Sequence, residues 1–207
     1  MEIHEALAQI TEIRRQMARS ELFRGYRSIT VGFSGLLGLA AAAAQPRWVS
    51  SPETELGAYL SLWVGVALVS VIVVGAELCW RGYHAGPGLA RHMTLLAVGQ
   101  FLPCVCVGAL LTICIYRGAP QVAWMLPGLW ALIFGLGIFA SYRFLPGQVF
   151  WMGSFYVLCG CGCLLWGQGD HAFSPWQMAI SFGGGQLLSA GILYWVLERR
   201  NASQTRD

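Results

Sequence analysis

GAYLSLWVGVALVSVIVVGAELCW, residues 57–80, runs for 24 residues with one charged member, Glu77, three places before its end. A helix needs ~20 mostly apolar residues to cross ~30 Å of hydrocarbon. This stretch is therefore long and apolar enough to span a membrane, and it decides the fold class. Working outward, five more such runs follow from the sequence, at about 29–45, 93–116, 121–142, 148–167 and 174–197. The first is short and alanine-rich, with Ala40 to Ala44 in succession. A transmembrane barrel would instead show alternating segments of ~10 residues. The whole chain is 56% hydrophobic and 11% charged, where soluble domains carry about a quarter charged residues.

The expected fold is all-α: an integral membrane six-helix bundle over 29–198, preceded by a cytoplasmic amphipathic helical segment at 1–28 and followed by a cytoplasmic tail at 199–207. The loops are too short to hold a second domain. The opening residues are polar and charged, unlike a cleavable signal peptide, so the chain is expected to keep Met1.

Orientation follows from the basic residues. All 13 are arginine. Arg14, Arg15, Arg19, Arg24 and Arg27 precede the first run, Arg81 and Arg91 lie between the second and third, Arg143 between the fourth and fifth, and Arg199, Arg200 and Arg206 after the sixth. Only Arg47 and Arg117 fall on the other side, with Glu53, Glu55 and Asp170. Basic residues stay cytoplasmic, which puts both termini inside, as an even number of spans also requires. Trp48, Trp124, Trp166 and Trp176 then mark the outer interface, and Trp80, Trp151 and Trp195 the inner one. The net charge of +3 is a topology signal, and nucleic acid is not an expected partner. The arginine-only set points to a GC-rich bacterial genome, and hence to a bacterial inner membrane.

VLCGCGCLLWG, residues 157–167, alternates Cys159, Cys161 and Cys163 with glycine. On a helix each residue turns ~100°, so Cys159 and Cys163 share a face and Cys161 points away. Three thiols on opposed faces do not close around one ion, and zinc sites take Cys-x₂₋₄-Cys pairs from turns. Cys104 and Cys106 repeat the alternation. The reading is helix packing, with cysteine as a small hydrophobe and glycine allowing close approach. Metal or redox chemistry is the alternative. His84 and His92, in RGYHAGPGLARH at 81–92, match no ligand spacing. No cofactor and no metal are assigned.

Ionisable groups at membrane depth are functional suspects, and Glu77 is the one such group here. Arg81 follows at i+4, so the two form a candidate interfacial ion pair. Pro103 releases the carbonyl of Gly99 beside Gln100. FGGGQLL, at 182–188, sets three glycines and Gln186 near the middle of the last run. Broken helices at the midplane mark binding sites in many transporters, which makes Gln100, Pro103 and Gln186 a candidate intramembrane polar site. The pairs GQFL/GQLL at 99 and 185, and QVAWM/QVFWM at 121 and 148, raise the possibility of an inverted 3+3 repeat.

In the amino-terminal segment, Ile3, Leu7, Ile10, Ile13 or Arg14, and Met17 step by three or four, and Phe23 follows. They form an apolar stripe for the inner leaflet, for a protein partner or for a second copy. No nucleophile elbow, paired carboxylate, phosphate loop or zinc-protease motif is present. The expected function is that of a non-enzymatic, multi-pass inner-membrane subunit or regulator, contacting the lipid bilayer and binding a partner through the amino-terminal helix. A small-molecule transporter or channel using Gln100, Pro103 and Gln186 is the alternative. A thiol- or metal-dependent membrane oxidoreductase is the third reading.

Overall fold

The computed structural model describes residues 28–52, 54–84, 89–144 and 147–195, without the side chains of 81–94 and 144. The amino-terminal stripe of Ile3, Leu7, Ile10, Met17 and Phe23 and the tail at 199–207 lie outside the described residues, as do the side chains of Arg81, His84 and His92.

Among the described residues the regular structure is entirely helical. The elements are α1 (Ser28–Trp48), α2 (Leu56–His84), α3 (Leu89–Gly118), α4 (Leu126–Ser141), α5 (Val149–Trp166), α6 (Pro175–Met178) and α7 (Gly185–Leu193). Five spans are long and apolar enough to cross a membrane: α1, α2 to Trp80, α3 from Leu95, the stretch Pro120–Ser141 that includes α4, and α5. The chain is a membrane protein by this measure. In the Pro120–Ser141 span a 3-10 turn, Pro120–Met125, leads into α4.

The sixth apolar run departs from a plain α-helix. It stays helical from Pro175, but a π-helical segment, Ala179–Gly184, separates α6 from α7. Its glycines explain why wider turns are tolerated there. A Cβ on Gly183 would stand 2.6 Å from Leu39 Cδ2, and one on Gly185 would stand 2.6 Å from Tyr156 Cζ. The neighbouring helices approach closely because those positions carry no side chain.

Two glycine-lined interfaces hold the bundle. Between the antiparallel α4 and α5, Gly128 lies opposite Gly160 and Gly135 opposite Gly153. Leu132 fills the space over Gly160, Leu164 that over Gly128, Val157 that over Gly135 and Phe139 that over Gly153. The seven-residue spacing of each glycine pair keeps both on one face of its helix, since two turns bring a residue back nearly above its start. Between α1 and the last helical run, Gly35 meets the carbonyl of Gly183 and the side chain of Leu187, and Gly38 meets the Gly183 backbone. The alanine-rich run that looks weakest in the sequence thus buries one face, with Val31, Ser34, Gly35, Gly38, Ala41, Ala42 and Gln45 buried, and exposes Ile29, Phe33 and Leu36 on the other. Small side chains weaken its hydropathy and are what let that face pack closely.

α2 packs chiefly on α1, and α3 on α4. Both leave most of their apolar surface outward, including Val64, Leu68, Val71 and Ile72 on α2, and Leu95, Leu102, Leu110 and Ile113 on α3. At the midplane Phe134 of α4 joins four elements, with ring centroids 5.1 Å from Phe101 of α3, 4.6 Å from Tyr156 of α5 and 5.7 Å from Phe182 of the π segment.

Candidate functional site

The strongest constellation of buried polar groups sits at the end of the bundle where α1 finishes and α2 begins. Gln45 is 2% exposed. Its Nε2 donates to the carbonyl of Phe173 at 2.8 Å, and its Oε1 accepts from Trp63 Nε1 at 3.0 Å. Pro46 and Arg47 follow it near the end of α1. The helix turns Gln45 inward, on the face that also buries Ala41, Ala42 and Gly38.

The Phe173 carbonyl is presented by the connection after α5. Gly167 closes that helix by donating its N–H to the carbonyl of Cys163 at 2.8 Å. A Cβ at Gly167 would stand 2.2 Å from that same oxygen, so glycine is required there. Gly169 takes φ +69°, and Ala172 N–H returns to the carbonyl of Gly169 at 2.9 Å. Gln177 Nε2 donates to the His171 carbonyl at 2.7 Å, tying the connection to α6. Phe173 itself is held at φ +56°, a left-handed conformation that costs a non-glycine residue about 1–2 kcal/mol. Its ring is inserted into the bundle and 5% exposed, edge-on to Tyr59 with centroids 4.8 Å apart.

Tyr59 is fully buried, and its hydroxyl has no hydrogen-bond partner among the described residues. Cys159 and Cys163 are half-buried on α5. Cys161 is exposed on the opposite side of α5. The cysteines are free thiols, and no group of three or more metal-ligating side chains occurs among the described residues.

The other residues singled out from the sequence lie elsewhere. Gln100 and Pro103 are exposed on α3, whose inward contacts to α4 come from Phe101 and Cys104, both packed over Gly137. Gln186 is half-buried at the start of α7, which packs on α1 and α5. Gln100 and Pro103 therefore share one helix, and Gln186 stands on another with different principal neighbours. Glu77 accepts a hydrogen bond from Thr30 Oγ1 of α1, so the carboxylate joins the start of α1 to the end of α2. Arg81, its i+4 neighbour, has its side chain outside the described residues.

Sequence reasoning passed over Gln45, Tyr59, Trp63 and Phe173. Only antiparallel pairing of α1 with α2 brings Gln45 level with Trp63, and the same pairing brings Thr30 level with Glu77. Nothing in the local pattern of residue 173 announces a left-handed phenylalanine. No protein-family model matches the chain, and neither does any curated protein or any solved structure.

Proposed function

We propose that the chain is a multi-pass protein of a bacterial inner membrane, with both termini cytoplasmic, that works as a non-enzymatic subunit or regulator. The observation that carries this reading is the pair α2 and α3. Each has one principal neighbour in the bundle and turns apolar side chains outward over most of its length. A helix that is apolar all round belongs against lipid or against other spans, and each of the two provides an apolar surface for the spans of another chain. The interior supports the same reading. Glycine-seated contacts fill the α4–α5 and α1–α7 interfaces, while Gln100 and Pro103 face away from the packed side of α3. The amino-terminal stripe of Ile3, Leu7, Ile10, Met17 and Phe23 would add a docking element on the cytoplasmic side.

The competing reading is a transporter in which the Gln186 amide, beside the π segment, faces a neutral solute. Wider turns recur at functional positions in helices, and this one lies in the last helical run, between α6 and α7. One comparison separates the two. Under the subunit reading, deletion of residues 2–19 leaves an inserted, folded protein that no longer co-purifies with its partner, and Gln186→Leu retains that partner. Leucine fills a similar volume without donors or acceptors. An unchanged set of co-purifying proteins after the deletion, together with solute uptake into proteoliposomes that Gln186→Leu blocks, would overturn the subunit reading in favour of transport.

A further inference from the structure

We propose that the connection Gly167–Ser174 is a strap whose Phe173 occupies a ligand site at the bundle mouth, and that the site takes a small aromatic carbonyl compound when the strap lifts. This goes beyond the subunit reading and does not depend on it. Phe173 shows what the site accepts. Its ring lies edge-on to Tyr59, and its own carbonyl receives the buried Gln45 amide at 2.8 Å. An aromatic ring with a carbonyl a short saturated link away would satisfy the same two partners.

Three observations distinguish a ligand site from ordinary packing. The amide is oriented in advance, because Trp63 Nε1 holds Gln45 Oε1 at 3.0 Å and so aims Nε2 at the acceptor. A second donor stands ready, because the fully buried Tyr59 hydroxyl bonds to nothing among the described residues. Buried donors of this kind are ordinarily satisfied. The occupant is also held under strain, because Phe173 reaches the site only at φ +56°. Unfavourable backbone geometry of that kind persists where neighbours over-determine it, and it clusters at clamps and switches. One bond ties the strap to α1, that of the Gln45 amide; the others are local, from Gly167 to Cys163, Ala172 to Gly169, Ser174 to His171, and Gln177 to His171 and Ser174. A ligand that replaces the ring and carbonyl relieves the strain and leaves no buried group newly unpaired.

The probe is 3-phenylpropanamide, which reproduces the ring, link and carbonyl of Phe173, and 3-cyclohexylpropanamide is its non-aromatic control. Both are titrated by calorimetry into the full-length protein in lipid nanodiscs. Hydrogen–deuterium exchange of residues 169–174 is followed in parallel. With wild type, the aromatic probe should raise exchange across the strap saturably, and the cyclohexyl control should do so less. Phe173→Ala, which vacates the site, should bind the aromatic probe more tightly than wild type. Adding Gln45→Leu to that variant should weaken binding about tenfold, as loss of one buried hydrogen bond does. If the double variant does not fold, Trp63→Phe in the Phe173→Ala background serves instead, because it removes the bond that orients Gln45 and should also weaken binding. Strap exchange in wild type unmoved by saturating probe would overturn the proposal. So would equal affinity of Phe173→Ala with and without the change at Gln45 or Trp63, which would mark a mere cavity.

Discussion

Gln45 and Tyr59 are neighbouring buried polar residues with opposite energetic roles. Gln45 satisfies a loop carbonyl and an indole N–H at once. Replacing it with leucine leaves both partners buried without a bond, a loss of about 1–3 kcal/mol for each uncompensated group. Gln45→Leu should therefore lower the unfolding midpoint clearly in a detergent titration. Tyr59→Phe removes a hydroxyl that makes no hydrogen bond among the described residues. Relief of an unsatisfied buried group is neutral or stabilising, so this variant should unfold at or above the wild-type midpoint. A Tyr59→Phe protein as unstable as Gln45→Leu would show that the phenol hydroxyl has a partner after all. Neither role could be read from the chain alone. Glutamine before Pro46 and Arg47 has the local signature of a helix end at the interface, and its inward orientation exists only once α1 has met α2.

At the scale of elements, the alternation of cysteine and glycine in α5 illustrates what periodicity can and cannot deliver. The ~100° turn per residue separates Cys161 from Cys159 and Cys163, and the structure leaves Cys161 exposed and the other two half-buried. Periodicity does not say which glycine meets a neighbour. Gly160 does: a Cβ there would stand 2.7 Å from Leu132 and 2.8 Å from the Gly128 carbonyl. Gly162 does not, its nearest contact being Trp166 of its own helix at 3.5 Å. Gly160→Ala should thus cost about 1–3 kcal/mol, the usual penalty of overpacking, whereas Gly162→Ala should be tolerated and should gain from alanine's higher helix propensity. Equal midpoints for the two variants would contradict the α4–α5 packing. The π segment was illegible for a related reason. Three successive glycines signal a weak helix, but which of them a neighbour approaches, Leu39 at Gly183 and Tyr156 at Gly185, depends on residues far away in the chain.

For the whole molecule, length and hydropathy made the helical membrane architecture legible, because crossing hydrocarbon demands continuous apolar helix. The up-and-down order is reinforced by contacts the sequence could not supply. Thr30 bonds Glu77, Gln45 bonds Trp63, and Tyr116 lies 3.5 Å from where a Cβ on Gly57 would stand. These pairs run α1 and α2 antiparallel and set the start of α2 beside the end of α3. The start of α1, the end of α2, the start of α3 and the end of α4 consequently share one side, with Ser141 Oγ of α4 donating to the Ala97 carbonyl of α3 at 3.1 Å. Eight of the 13 arginines belong, by chain order, to that same side, and Arg199, Arg200 and Arg206 join them if the run from Pro175 crosses. If basic loops stay cytoplasmic, reporter fusions after residue 50, within 117–121 and within 168–173 should be active outside the membrane. Fusions near 85, 145 and 205 should be active inside. The fusion at 205 is the decisive one, because it depends on the run from Pro175 crossing the bilayer even though a π segment interrupts it. A break at Gly183 to Gly185 that turned the chain back would leave residue 205 outside, where Arg199, Arg200 and Arg206 would oppose the charge rule. An external reporter at 205 with an internal one at 145 would therefore reduce the bundle to five spans and make the last run re-entrant. The close seating of Gly183 on Leu39 and the packing of α7 along α1 argue for a complete crossing.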